Sequence, residues 1–241
     1  MLFPIGDDNS DRRTTPFVVY GLIAVNVLVF LLQMTAGDRF TYGYSTIPFE
    51  ITHNTDLTGA MAISTGNGTF DVQQYPGPVP IYLTLLTSMF MHGSLMHIAG
   101  NMLYLWIFGD QIEDFLGHAR FLVFYLVCGL IADAAHIALD PNSVIPTLGA
   151  SGAIAGVLGA YLVKFPGRRV NVLVVRVVTQ MPSIIVLGLW FVLQVVSQLG
   201  GAGGGVAFMA HIGGFVAGMV LVFVFGIGRQ APAPQRVGGR F

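Results

Sequence analysis

Four polar side chains lie within apolar stretches of this chain, and their types point to acyl-transfer chemistry: His97, Asn101, Ser151 and His211. Polar groups are costly in apolar surroundings and by default mark function. A serine hydroxyl becomes a good nucleophile when a neighbouring base takes its proton, and His211 is the candidate base for Ser151. The resulting oxyanion needs preorganised donors, which the Asn101 amide, the His97 ring and the backbone N–H of Ser151 can supply.

The composition excludes a soluble globular protein. Hydrophobic residues make up 54% of the 241 residues, charged residues only 10%, and the mean hydropathy is +0.72. Soluble domains carry about 25% charged residues, so this chain has too little polar surface to stay in water. The formal net charge of −1 argues against a nucleic-acid partner, which needs a concentrated basic face. Because Cys128 is the single cysteine, a disulfide framework and a cysteine-rich metal site are excluded, and we expect no metal or other cofactor.

Apolar segments bounded by charged, proline-rich or glycine-rich stretches are the predicted membrane spans. Six spans of roughly 20 residues each fit the length of the chain. Their expected bounds are residues 16–34, 94–116, 121–139, 147–163, 182–199 and 206–225. The sequence therefore predicts an all-α integral membrane protein, a six-transmembrane-helix bundle that forms a single domain over residues 1–241. Residues 35–93 form an external loop that is long enough to have structure of its own.

Lysine and arginine residues predict the orientation, because cytoplasmic loops carry an excess of them. Only Arg39 falls on the outer side of the predicted bundle. The other ten of the eleven basic residues share one side: Arg12, Arg13, Arg120, Lys164, Arg168, Arg169, Arg176, Arg229, Arg236 and Arg240. We therefore expect both termini in the cytoplasm and a multi-pass location in the cell membrane (inner or plasma membrane).

This topology brings the chemically capable residues to one depth. The even-numbered spans all run from outside to inside, and His97, Ser151 and His211 each lie roughly one helical turn from the start of such a span. All three should lie slightly below the outer surface, where water can reach them. The nearest carboxylates in depth are Asp133 and Asp140, and neither is well placed to orient His211. We therefore expect a Ser151–His211 dyad and no triad.

Small residues flank both members of the dyad. Gly149 and Gly152 lie on either side of the nucleophile in a closely packed site. Gly152–Gly156 and Gly214–Gly218 are small-xxx-small patterns, which allow two membrane helices to approach closely. Each pattern alone indicates only packing, but together they explain how a serine on span four can reach a histidine on span six.

Each polar residue also has a simpler interpretation. A lone serine in a membrane helix usually bonds back to its own chain, a lone histidine can be structural or part of a proton relay, and Asn101 could simply join two helices. Spacing alone leaves open a hydrolase and a channel or proton-coupled transporter. A transporter needs ionisable residues that continue toward the cytoplasmic side, where the even-numbered spans offer Glu113 and little else.

Three motifs in order resemble the rhomboid family of intramembrane serine proteases. The segment Thr87–Met102 resembles the second-span signature of that family, Gly149–Gly152 its serine motif and Ala210–Gly218 its histidine motif. The resemblance extends from about residue 83 to residue 218, which is most of the predicted membrane domain. Three motifs on the correct spans are far more specific than a single G-x-S-G.

The resemblance implies a serine endopeptidase that hydrolyses peptide bonds in or near transmembrane segments. Transmembrane proteins are then its substrates and the lipid bilayer its surroundings. The resemblance assigns Ser151 as nucleophile, His211 as general base, and His97, Asn101 and the Ser151 N–H as the oxyanion-binding groups. His92 resembles a histidine that helps to hold water and the external loop near the site.

Span five, with Trp190 and Phe191, resembles the movable element through which substrates reach the site from the bilayer. The sequence departs from the family at Ala155, where some relatives carry an aromatic residue stacked on the catalytic histidine. What fixes the His211 ring is therefore open. The alternative function is that of a non-catalytic relative that binds membrane clients. Such a relative is expected to lack Ser151 or His211, and both are present.

Overall fold

Helices make up most of the computed structural model, which describes residues 2–65, 68–200 and 207–229. In chain order they are α1 Phe17–Ala36, α2 Asp38–Gly43, α3 Pro48–His53, α4 Thr84–Thr87, α5 Leu95–Leu116, α6 His118–Leu139, α7 Ser151–Lys164, α8 Ser183–Leu199 and α9 Phe208–Phe225. A helix thus lies in each of the six apolar segments. Residue 206, the expected start of the last span, and Arg236 and Arg240 of the orientation argument lie outside the described residues.

Length and hydropathy identify α1, α6 and α9 as helices of the described residues that are able to cross a membrane. A fourth candidate is a bent pair, in which the helical segment Ile81–Phe90 meets α5 at 77°. α7 has 14 residues and α8 has 17. Both are apolar but shorter than the roughly 20 residues that a span usually needs. The chain is therefore a mostly helical membrane protein, and the number of six crossings stays a prediction.

The fold is mostly helical, as predicted, but it is not all-α, because strands accompany the helices. β1 (Leu2–Asp7), β4 (Arg169–Val174) and β5 (Val177–Pro182) form an antiparallel sheet in the order β1-β4-β5. β2 (Gly59–Thr65) and β3 (Gly68–Gln74) form a separate antiparallel hairpin.

β-branched residues between α7 and α8 explain this difference. The arginines there predict a polar cytoplasmic loop, but the segment is rich in valine, which favours strands. Val170 and Val172 are fully buried, whereas Arg169 is exposed. The buried valines therefore pack the sheet against the bundle, and β5 leads directly into α8.

The segment 35–93, which the sequence predicts to be an external loop, contains α2, α3, the β2–β3 hairpin and the helical segment Ile81–Phe90. Thr46 and Thr147 exchange two backbone hydrogen bonds, of 2.9 and 2.7 Å. The Thr46 hydroxyl also bonds the Ser88 hydroxyl at 2.9 Å. The Thr46–Thr147 pair attaches the loop to the segment that leads into α7, and the bond to Ser88 joins two parts of the loop itself.

α7 lies at the centre of the bundle. Every residue from Gly152 to Tyr161 is buried, and α5, α6, α8 and α9 pack around it. Ser151 is the first residue of α7 and is half-buried. A side chain at this position faces neighbouring helices and is only partly open to its surroundings.

The N-terminal segment and the end of α9 lie together at the end of the bundle that is opposite to Ser151. Side-chain hydrogen bonds join the N-terminal segment to other elements, namely Tyr161 to Asp7, Arg168 to Asp11 and Arg12 to Asp110. Arg120, in the first turn of α6, donates to the carbonyl oxygens of Phe225 and Ile227. The beginning of the chain and the end of α9 therefore lie at the same end of the bundle, away from Ser151.

Candidate active site

Ser151 and His211 lie at the N-terminal ends of two helices in contact, α7 and α9. The Oγ of Ser151 and the Nε2 of His211 are 2.7 Å apart, a hydrogen-bond distance. The two residues are 60 positions apart in the sequence. Their contact therefore depends on how closely α7 and α9 pack.

Glycines at this interface permit the close approach. A Cβ added at Gly214 would overlap the carbonyl oxygen of Gly152, and one at Gly218 would overlap that of Gly156. A Cβ added at Gly152 would lie 2.6 Å from the Cβ of Ala132 on α6. Both small-xxx-small patterns thus lie at the contact between α7 and its neighbours. A side chain at any of these positions would push the helices apart.

Gly149 lies between the Ser151 hydroxyl and the His97 ring. Its φ of +131° is a conformation that residues with a side chain rarely adopt. A Cβ there would lie 2.8 Å from the His97 ring and 3.7 Å from the Ser151 Oγ. The Gly149 N–H donates to the Ser88 carbonyl at 2.9 Å, which fixes the turn. Any other residue at position 149 would strain the backbone and displace His97.

The start of α5 brings the other predicted side chains to this end of the bundle. The Asn101 amide donates to the Nε2 of His92 at 2.9 Å. Gln33 of α1 bonds both backbone groups of His92, at 3.0 and 3.1 Å. The His97 ring lies edge-on to the His92 ring, with centroids 5.1 Å apart, and Ser94 caps its helix. His92 is thus a fixed support for Asn101 and His97.

The other ring nitrogen of His211 faces α8. Its Nδ1 is 2.7 Å from the Oε1 of Gln194. Trp190, one turn earlier on α8, has its ring 5.9 Å from the His211 ring and 5.9 Å from that of Phe215. Phe191 stacks on Phe215 at 4.6 Å. Both predicted gate residues therefore pack on α9, and Trp190 also contacts His211.

Comparison with known families supplies an identification. The sequence profile of the Rhomboid domain matches residues 81–227, more than half of the chain. The chain belongs to the rhomboid family. The matched region contains α5 to α9 and thus every side chain of the predicted dyad and oxyanion site.

Relatives of this rhomboid include a bacterial protease and proteins named as mitochondrial. The chain is 32% identical to Rhomboid protease GluP of Bacillus subtilis over 154 residues, which cover 64% of the chain and 28% of that protein. It is 33% identical to the human Presenilin-associated rhomboid-like protein, mitochondrial, over 167 residues, covering 68% and 36%. With Rhomboid protein 1, mitochondrial, of Saccharomyces cerevisiae the identity is 30% over 213 residues, covering 84% and 51%. The chain spans only about a quarter to a half of the length of these relatives.

Sequence reasoning missed Gln194 in this rhomboid because it searched for a carboxylate beside His211. Among the described residues, no hydrogen bond joins the His211 ring to Asp133 or Asp140. A signal was present, since Gln194 is a polar residue in an apolar helix, four positions after Trp190 and hence on the same helical face.

The aromatic neighbours of His211 differ from those of the relatives that stack an aromatic residue from α7. At the corresponding position of α7 this chain has Ala155, which is fully buried and whose side chain is only a methyl group. Trp190 of α8 lies 5.9 Å from the ring, and Phe208 of α9 lies edge-on at 6.4 Å. In this rhomboid the His211 ring is packed from α8 and from its own helix.

Proposed function

We propose that this rhomboid is an intramembrane serine endopeptidase that cleaves transmembrane proteins with a Ser151–His211 dyad. The observation that carries the proposal is the 2.7 Å contact between the Ser151 Oγ and the His211 Nε2. The proposal gains support from the family, since one relative is named as a rhomboid protease. Nucleic acid is not among the proposed partners.

In the first half of the reaction, the Nε2 of His211 takes the proton of the Ser151 hydroxyl while the Oγ attacks the carbonyl carbon of the substrate. The carbonyl oxygen becomes a tetrahedral oxyanion. When this intermediate collapses, the C–N bond breaks, the imidazolium gives its proton to the leaving amine, and the acyl group stays on Ser151.

In the second half, a water molecule replaces the leaving amine. His211 takes a proton from this water, the hydroxide attacks the acyl carbon, and a second oxyanion forms. Its collapse breaks the bond to the Ser151 Oγ, which regains a proton from His211. A site near the outer end of α7 and α9 suits this step, because water must reach it.

The oxyanion would be stabilised by groups at the same end of the bundle as Ser151. The backbone N–H of Ser151 begins α7, where the helix dipole favours negative charge. An amide nitrogen carries two N–H groups, so Asn101 can donate one to His92 and aim the other at the oxyanion. The His97 ring, packed against Gly149, is the third proposed donor.

We propose six membrane crossings, with both termini of the chain on the cytoplasmic side. The packing of the N-terminal segment near the end of α9 agrees with an even number of crossings. The distribution of basic residues favours the cytoplasm for that end. The comparisons support a membrane location, but the mitochondrial relatives do not support the choice of a plasma or inner cell membrane.

Substrates should be membrane proteins whose helices unwind near the outer surface. Each backbone carbonyl of an intact helix is already bonded within the helix, which hides it from a nucleophile. Glycine, proline or polar residues in the outer part of a span therefore favour cleavage. A small residue such as alanine should precede the cut, because Gly149 and Gly152 make the surroundings of Ser151 tight.

α8 is the proposed gate through which these substrates approach. Its buried anchor points are near its beginning, at Ser183, Val186 and Leu187. The face turned away from the bundle is apolar and exposed, with Ile184, Ile185, Leu189, Val192, Leu193 and Val196. A helix anchored at one end and apolar on its outer face can move aside toward the bilayer at its other end, beside Trp190 and Phe191.

The experiment is cleavage of single-span test substrates by the purified protein in detergent and in liposomes. One substrate carries a helix-breaking pair near the outer end of its span, and a matched one has Leu-Leu there. We expect cleavage of the first and slower cleavage of the second, and labelling of Ser151 by a fluorophosphonate probe. Equal rates would refute the unwinding requirement.

A client-binding role without catalysis is the alternative outcome. It would appear as substrate capture with neither cleavage nor probe labelling. A transporter gains no support from Glu113, because that carboxylate accepts the backbone N–H groups of Val18 and Val19 at the start of α1, at 2.9 and 2.7 Å. A group that caps a helix in this way is structural.

A further inference from the structure

The contact between His211 and α8 has a chemical consequence that goes beyond a two-residue dyad. We infer that Gln194 is a positioning residue, whose side-chain oxygen holds His211 in the tautomer and orientation that a general base requires. The contact is the 2.7 Å approach of the His211 Nδ1 to the Gln194 Oε1. The inference rests on the proposed function and specifies how its base is set up.

The direction of this hydrogen bond decides the protonation of the ring. A carboxamide oxygen only accepts hydrogen bonds, so the Nδ1 must carry the ring proton. The Nε2 of a neutral imidazole is then unprotonated, and its lone pair faces the Ser151 hydroxyl at 2.7 Å. The opposite tautomer would place a proton on the Nε2, which could not accept the proton of Ser151.

A neutral acceptor suits the surroundings of this site. His211 and Gln194 lie between apolar helices, where an unpaired carboxylate would be costly. The amide oxygen stays bonded to the Nδ1–H when His211 takes the serine proton, so the imidazolium keeps one partner throughout the reaction. Gln194 thus provides the orienting contact that an aspartate provides in a triad, without a buried charge.

The position of Gln194 on α8 links this contact to the gate. Trp190 and Gln194 are four residues apart and face His211 from adjacent turns of the same helix. If α8 moves aside to admit a substrate, both contacts to the ring are lost together. The base is therefore fully oriented only while α8 packs on α9, and proton transfer must follow reclosure of the gate.

The test compares Gln194→Leu, Gln194→Asn and Gln194→Glu with wild type on one cleavable substrate, recording kcat, KM and the pH–rate profile. Leucine keeps the bulk without an acceptor, and asparagine keeps the amide one methylene too short. We expect both to lower kcat by about 10- to 100-fold, the range for losing a partner of a buried polar group, with little change in KM. Gln198→Leu, one turn further along α8, is the matched control and should retain wild-type kcat.

The glutamate variant reports on the ring directly. A carboxylate keeps the acceptor oxygen and adds a negative charge that favours the imidazolium. Gln194→Glu should therefore recover most of the activity and move the acid limb of the pH–rate profile to higher pH. A side chain at position 194 that packs on α8 without reaching the His211 ring would leave this limb where it is in the wild type.

The outcomes separate this inference from the proposed function. Wild-type kcat and an unmoved pH profile in all three variants, with Ser151→Ala inactive, would overturn the role of Gln194 alone. An inactive wild-type protein that no fluorophosphonate labels would overturn the proposed function first. If the leucine variant fails to fold, the asparagine and glutamate variants carry the comparison.

Discussion

The two ends of the bundle are held together by different chemistry. At the end where α7 and α9 begin, the joining side chains are hydroxyl, imidazole and carboxamide groups, with contacts from Ser151 to His211, from His211 to Gln194 and from Asn101 to His92. At the opposite end, carboxylates meet arginines and backbone N–H groups, with contacts from Asp11 to Arg168, from Asp110 to Arg12 and from Asp114 to Thr14.

This difference follows from where each end can obtain solvation. Charged groups in hydrocarbon are expensive unless they are paired or reach water. The arginine-rich end tolerates them because Asp11, Asp110 and Asp114 have cationic or N–H partners, while Asp7 accepts from the Tyr161 hydroxyl. The serine end uses neutral groups, so its polar residues can exchange partners with a substrate without leaving a charge unpaired. The arginine-rich end therefore stabilises the bundle, whereas the serine end suits the proposed reaction.

The largest expected effect is at the serine end. Ser151→Ala and His211→Ala should each reduce cleavage to background, because each removes one partner of the proton transfer. The double variant should lose little more than either single one, since such residues act as a unit. The measurement is initial cleavage rate at equal folded protein. Activity above a few per cent of wild type in Ser151→Ala would contradict the assignment of the nucleophile.

Asn101→Ala tests whether Asn101, which bonds His92, takes part in catalysis or only in packing. We expect kcat to fall by about 10- to 1000-fold with a much smaller change in KM, the pattern for loss of one oxyanion donor. Asn26→Ala is a suitable control, because Asn26 is also a buried asparagine but bonds the Leu22 carbonyl within α1. An unchanged kcat in Asn101→Ala would make Asn101 a packing residue.

The residues of the serine end could be predicted to a large extent because their types are unusual in apolar segments. Asn101, Ser151 and His211 stand out for this reason, and the predicted six-span topology puts them at a similar depth. The contact between Gln194 and His211 could not be predicted in the same way. It depends on the rotation of α8 about its axis and on its distance from α9, which are set by packing across the whole bundle.

The charged end was harder to predict because charge suggested a solvated loop. The valines of β4 lie in a segment that contains Arg168 and Arg176, and the arginines dominated the interpretation. Pairing with the remote strand β1 decides the structure there. Local sequence cannot show that the first residues of the chain supply the partner strand.

Substitutions of the two aromatic residues of the proposed gate on α8 should have smaller effects on cleavage, and the effects should differ between the two residues. Phe191 contacts Phe215 of α9, whereas Trp190 contacts both Phe215 and the His211 ring. Phe191→Ala should raise kcat/KM a few-fold by loosening α8, while Trp190→Ala should lower kcat because it also frees the base. Parallel kinetics of the two variants provide the check. The same change in both would show that ring contact with Trp190 is unimportant.

Arg168→Ala probes the charged end, with an expected effect on stability and little on kcat. Arg168 donates two 2.6 Å bonds to Asp11 and a third to the Asp8 carbonyl, and its side chain is 12% exposed. Its loss should lower the free energy of unfolding by about 1.5 to 3 kcal/mol, the range for losing hydrogen bonds to a charged group. Arg169→Ala, at an exposed position, is the control for thermal unfolding in detergent. A large fall in kcat below the unfolding temperature would instead link this end to catalysis.

The smallest expected effect concerns Asp7, and it is a change of stability with pH. Burial raises the pKa of the Asp7 carboxyl from 3.8 to about 7, and Asp110 and Asp8 add to this, while the Tyr161 hydrogen bond and Arg168 oppose it. The folded state therefore binds this proton more tightly than the unfolded chain does. The stability contributed by protonated Asp7 is complete below about pH 4 and is lost as the pH rises toward about 7.

Asp7→Asn removes this titration and keeps a group that can accept from the Tyr161 hydroxyl. The unfolding temperature of the variant minus that of the wild type should therefore be higher at pH 8 than at pH 5, measured by thermal unfolding in detergent. Asp8→Asn is the control, since hydrogen bonds from Ser10 lower the pKa of Asp8 below its ordinary 3.8. That carboxyl is ionised in both states across this range, so its removal should give the same shift at both pH values. An equal response of Asp7→Asn and Asp8→Asn would show that Asp7 is solvated, and that the charged end of the bundle tolerates its carboxylates through water as well as through arginine.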